Sequence, residues 1–128
     1  MRKSKDKGRE IRFFSEKNQN LVDVRSKEER AYTKYLEDRK RVSSYEAGKK
    51  WSREHLQQIV RVDIRKEYAE TEWQSDFYIR FSDGHEAVRE IAAADMLLNR
   101  ADVEKLELSR RYWQSLGVTD WKIVLMEE

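Results

Sequence analysis

Between Trp73 and Ala92 two extended segments flank a single turn. Trp73 to Phe81 is apolar and aromatic, Ser82-Asp83-Gly84 has turn composition, and Glu86 to Ala92 alternates again. A hairpin here sets a sheet, and the flanking patterns must serve it. Downstream, Ala101 to Leu116 has helical spacing, expected to bury Val103, Leu106, Tyr112, Trp113 and Leu116, with Gly117 placed as a C′ glycine. Trp121 to Met126 reads as a last strand, reached by a helical crossover and so expected to run parallel to its neighbour. Upstream, Ser26-Lys27-Glu28-Glu29 reads as a capping box opening a helix to about Arg39, with Ala31, Tyr32, Tyr35 and Leu36 at helical spacing. Residues 41–57 are ambiguous. Ile59 to Arg65 alternates with period 2 and reads as another strand. The expected layout is α/β, a mixed sheet flanked by helices in the order α-β-β-β-α-β.

A chain of 128 residues is one domain's length, and four Trp, six Tyr and four Phe supply the bulk of a core. Without cysteine it has neither disulfides nor a zinc–thiolate site, and a reducing, cytoplasmic setting is expected. No run of about 18 apolar residues appears, so no membrane span is expected. Charge is distributed unevenly. Residues 1–12 hold Arg2, Lys3, Lys5, Lys7, Arg9 and Arg12 against Asp6 and Glu10, while the remainder is slightly acidic. This segment reads as a basic flexible tail ahead of a domain over residues 13–128. It is either a phosphate-contacting arm or merely a solvated terminus.

Asp76 lies inside an apolar strand, and Glu90 lies in the strand after the turn. Folding about Gly84 lets the two acids approach at the far end of the hairpin, with Glu29 as a third oxygen donor from the first helix. Convergent carboxylates at a sheet edge suit Mg²⁺, with Mn²⁺ as a substitute. Each acid also has a plainer role: Glu29 as half of a capping box, Asp76 as an acceptor of backbone N–H groups, Glu90 as a surface charge. His55 and His85 are isolated, and no Gly-rich phosphate loop or nucleophile motif appears.

Ser75-Asp76-Phe77-Tyr78-Ile79, Ser82-Asp83-Gly84, Val88-Arg89-Glu90-Ile91 and the helix Glu104 to Trp113 together resemble the N-terminal nuclease domain of the TnsA-type transposase subunits. The similarity runs from about Phe13 to Met126. It implies a restriction-endonuclease-like fold and an Mg²⁺-dependent DNA endonuclease acting at transposon ends. Glu29 would be the helix acid, Asp76 the central metal ligand and Glu90 a further ligand. The implied partners are DNA, a TnsB-type recombinase and a TnsC-type ATPase regulator, which the family contacts through a further C-terminal domain.

The family's lysine falls on Ala92 and its following proline on Ala93. Residues 90 and 92 share a strand face, so Ala92 is expected to face the site without a charge. That lysine orients the attacking water and neutralises developing charge, a contribution worth roughly 10²–10³ in rate. Three accounts of Ala92 are open: an inactivated variant, a degenerate homologue that keeps binding, or a site served by another cation. Lys105 is the leading substitute, with Arg89 disfavoured by strand parity. The alternative function is a non-catalytic adaptor that binds DNA or a partner on the same fold.

Overall fold

The computed structural model describes residues 1–3 and 10–126. Along the chain it forms β1 (Arg2–Lys3), β2 (Ile11–Ser15), β3 (Asn20–Val24), α1 (Lys27–Asp38), β4 (Val42–Lys50), α2 (Arg53–Gln58), β5 (Trp73–Phe81), β6 (Glu86–Ala92), α3 (Arg100–Ser115) and β7 (Asp120–Leu125). Two 3₁₀ turns, Lys66–Glu70 and Ala94–Leu98, complete the frame. The architecture is mixed α/β, with a five-stranded mixed sheet and a separate β2–β3 hairpin.

β5 is the sheet's axis, paired antiparallel to β4 along one edge and to β6 along part of the other. β7 lies parallel to β6, Ala87 opposite Asp120 through Ala92 opposite Leu125, as the helical crossover through α3 requires. Both faces of β5 are buried. On one, Tyr78 and Val88 pack with Trp51, Leu108, Tyr112 and Trp113. On the other, Phe77, Ile79 and Ala87 pack with Val24, Leu36, Val42 and Tyr45. Ser75 ties two tryptophans into the first cluster, its Oγ accepting from Trp51 Nε1 at 2.9 Å and Trp113 Nε1 at 2.8 Å.

The helix ends follow their local chemistry. Ser26 Oγ accepts the Glu29 N–H at 3.1 Å, but the Glu29 carboxylate turns to the Arg25 N–H rather than closing a capping box on Ser26. Asn99 caps α3 by accepting from Ala101 and Asp102. Beyond α3, Gly117 adopts φ +87°, and the Gly117 and Val118 N–H groups return to the Gln114 and Trp113 carbonyls, a Schellman closure.

Three expectations need correction. The order α-β-β-β-α-β is too short, since it omits the β2–β3 hairpin, β4 and α2. Ile59 to Arg65 is not a strand. α2 ends at Gln58, Asp63 takes φ +63°, and the chain turns with the Ile64 N–H on the Arg61 carbonyl. Its carbonyls serve side chains instead of a neighbouring strand: Arg111 Nη1 donates to Val60 and Val62, and Arg61 Nη1 to Ile59. Val60 and Val62 are consequently exposed. Val103 on α3 and Leu116 at its C-cap are also exposed, and the buried stripe is Leu106, Leu108, Ser109, Tyr112 and Trp113.

Candidate functional site

The site forms where β5 and β6 separate. Their ladder stops at Phe77 opposite Arg89, and the next facing positions are Asp76 and Glu90. There the side chains replace the main-chain ladder. The Asp76 N–H donates to Glu90 Oε1 at 2.9 Å, and the Ile91 N–H donates to Asp76 Oδ2 at 2.8 Å. Directly opposed residues share a face, so both carboxylates point the same way and lie buried in the fork.

β1 takes the length of β5 that β6 leaves open. Arg2 pairs with Gln74 and Lys3 with Trp73, on the edge away from β4, whose Lys50 also pairs with Gln74. This register brings the Met1 ammonium into the fork, 2.6 Å from Asp76 Oδ2 and 3.0 Å from Glu90 Oε1. Arg2 Nη1 donates to both oxygens of Glu29, at 3.0 and 3.2 Å. Each of the three acids is thus met by a cation. Lys3 continues the strand, and Arg12 sits in β2, paired with Asp23 at 2.7 Å. Lys5, Lys7 and Arg9 lie outside the described residues.

The electrostatics follow from burial. Desolvation pushes the Glu90 carboxyl above its usual range, the Met1 ammonium opposes this, and Asp76 adds to it. Glu29 is also raised, first by desolvation and then by the charge of Asp76, against the pull of Arg2. Burial lowers the Met1 ammonium, but the charges of Glu90 and Asp76 and their hydrogen bonds outweigh it and raise the group to about 10. Glu90 is further fixed from α3: Ser109 Oγ donates to its Oε2 and accepts from Trp121 Nε1 at 2.9 Å.

A groove of about 460 Å³ opens over the fork, lined by Arg25, Glu29, Asp76, Ala92, Met96 and Met126 together with Met1 and Arg2. Ala92 lies in it, on the strand face of Glu90. Arg25 Nε and Nη1 are buried and, among the described residues, have no hydrogen-bond partner. The acids Glu29, Asp76 and Glu90 are therefore brought together.

Lys105 is not brought to the site. Its Nζ sits 3.9 Å from Asp102 and 5.9 Å from the ring centres of Tyr68 and Trp73, and it does not line the groove. Arg89 turns to the other face, 2.9 Å from Asp120. Sequence reasoning missed Arg25, Ser109 and the Met1 ammonium. Ser109 left a signal, a small polar residue within the buried stripe of α3, three places after Leu106. Arg25 left only its position before the capping Ser26.

Among the described residues no group of three or more His, Cys, Asp or Glu side chains stands close enough to enclose a metal ion, and no helix is long and apolar enough to cross a membrane. No protein-family model matches the chain, and comparison with curated proteins finds no match.

Proposed function

We propose that this chain carries a restriction-endonuclease-like core of the TnsA type. Its fork would be an Mg²⁺-dependent site for phosphodiester hydrolysis in DNA, impaired in this sequence by Ala92. The observation that carries the reading is the convergence of Asp76 Oδ2 and Glu90 Oε1 on one cationic nitrogen, at 2.6 and 3.0 Å. Two oxygens already arranged around a positive charge fit a divalent cation, and Mg²⁺ is commonly held by one or two carboxylates with water completing its shell. Two carboxylates without a third enclosing ligand among the described residues suit that mode.

Bound there, Mg²⁺ would supply a water of lowered pKa and neutralise charge on the phosphodiester. Asp76 and Glu90 would hold it, replacing their contact with the Met1 ammonium. Glu29, raised by burial and by Asp76, is suited to exchanging a proton with the attacking water. Arg25 offers a guanidinium to a phosphate oxygen. At Ala92 a methyl group stands where the resemblance expects an ammonium, so charge developing on the phosphate would lack one stabilising partner. In a transposase the chain would act on DNA with a TnsB-type recombinase and a TnsC-type regulator.

The test is Ala92→Lys, assayed for nicking of supercoiled DNA with Mg²⁺ or Mn²⁺, with and without a partner recombinase. Nicking should rise by roughly 10²–10³ over the unaltered chain and disappear when Asp76→Ala is added. A variant that stays inert under all these conditions would end the catalytic reading.

A second reading, the non-catalytic adaptor, is favoured by the same internal pairing. Met1 and Arg2 satisfy all three acids without any metal.

A further inference from the structure

Away from the fork, the groove continues into two more concavities. Met126 lines both the acidic groove and a hollow between α1 and β7, and Tyr32, Tyr35 and Arg89 line both that hollow and a third over the end of α1. The track changes character along its length. It starts acidic, passes Lys122, and ends among Arg39, Lys40 and Arg41. Among the described residues, none of these four cations lies within ion-pairing distance of a carboxylate, and all four are exposed. The acids beside them are Asp38, at the rim, Asp83, which feels the charge of Arg41, and Asp120, which feels that of Lys122 but is already held by Arg89 and His85.

The aromatic part of the track is layered. The Tyr32 and Tyr35 rings stack at 5.4 Å with 22° between their planes, and the Arg39 guanidinium lies 4.1 Å from the centre of the Tyr35 ring. Tyr35 is 46% exposed, so the stack stands open at the surface of the track. Unpaired bases stack on aromatic rings and on guanidinium planes, and their backbone phosphates sit on Lys and Arg. A duplex offers no free base face to such a stack.

We propose that this track binds single-stranded DNA. A base extends the Tyr32–Tyr35–Arg39 stack, and the flanking phosphates lie on Lys40, Arg41 and Lys122, so that an unpaired strand leads to or from the fork. The choice of DNA rests on the nuclease reading of the fork, whereas the stack and the cations stand apart from it.

The experiment measures binding of a fluorescent 12-mer of dT to the whole chain by anisotropy, in EDTA and across a salt series. Tyr35→Ala should weaken binding roughly tenfold or more with little change in salt slope, and Tyr35→Phe should restore it. Arg39→Lys keeps the charge but loses the plane, and should remain weakened. Lys40→Ala with Arg41→Ala should instead flatten the salt slope by about 0.7 for each phosphate left without its cation. Unchanged affinity in Tyr35→Ala overturns the proposal. So does preference for a fully paired duplex, or equal binding of a poly-glutamate peptide, which would mark the cations as a dock for an acidic protein. Mn²⁺ binding, measured separately, keeps the two readings distinct. If the chain binds Mn²⁺ through Asp76 but not dT, the track falls alone; if it binds dT through Tyr35 but not Mn²⁺, the nuclease reading falls alone.

Discussion

Asp76 and Glu90 each take a backbone N–H from the other's strand: the Asp76 N–H donates to Glu90, and the Ile91 N–H donates to Asp76. This crossed pair closes the fork between β5 and β6 in place of main-chain bonds. The same oxygens, Asp76 Oδ2 and Glu90 Oε1, also face one cation. The two acids are thus structural and available for ligation at once, and mutations nearby should separate these roles.

Ser109→Ala removes the α3 hydroxyl that donates to Glu90 and accepts from Trp121. A buried carboxylate deprived of such a donor costs on the order of 2 kcal/mol. The expected outcome in thermal unfolding is a Tm lower by several degrees, together with weaker divalent-cation binding. Ser109→Thr, which retains the hydroxyl, should recover part of the binding.

Stability should fall in alkaline solution because of the Met1 ammonium. Its pKa is raised in the folded state from 8.0 to about 10. The stabilisation is therefore complete below pH 8 and is lost as pH rises through 10. A rise of this size corresponds to about 2–3 kcal/mol. Unfolding measured on either side of that window, and within it, should show this decline. A chain acetylated at Met1 should start less stable and lack this part of the decline.

Arg25→Met separates stability from binding. Among the described residues Arg25 Nε and Nη1 are buried without partners, so replacing them with an apolar chain should leave Tm equal or higher. Duplex DNA affinity should nevertheless fall roughly tenfold, with a salt slope lower by about 0.9 for the one phosphate left without its guanidinium. A large drop in Tm would mark Arg25 as a structural residue.

Gly117→Ala tests the end of α3. At φ +87° a Cβ costs about 1–2 kcal/mol, although no atom of the described residues lies within 4 Å of the added carbon. Chemical denaturation should show that loss without a change in m-value.

The parts of the fold legible in the sequence were those where local chemistry and burial agree. The β5–β6 hairpin is buried along both strands around a glycine turn, and α3 ends at a glycine that has to be left-handed. Other parts were hidden by how the structure distributes its polar groups. The β2–β3 hairpin turns through Glu16 to Gln19 without a glycine, with Gln19 itself at φ +57°, so only Ser15, Asn18 and Asn20 mark it, a weaker signal than Gly84 gives. β4 carries Ser43, Ser44, Glu46, Lys49 and Lys50 because, among the described residues, it pairs only with β5 and leaves its outer side polar. Ile59 to Arg65 has a strand's alternation, but Arg61 takes the Ile59 carbonyl and Arg111 those of Val60 and Val62, which a strand would need. At the site, parity paired Asp76 with Glu90 and turned Arg89 away. The pairing of β1 with β5, which carries Met1 and Arg2 to the acids, depends on an edge left open by β6 and has no local signature.

The most direct test is a Mn²⁺ titration of the chain near neutral pH, followed by calorimetry or by loss of the free-ion electron paramagnetic resonance signal. One ion should bind per chain, displacing the Met1 ammonium, and Asp76→Ala should abolish binding while the fold persists in circular dichroism. If the unaltered chain binds no Mn²⁺, or binds it equally with Asp76 removed, the fork is a structural ion pair and the metal-dependent nuclease account is wrong.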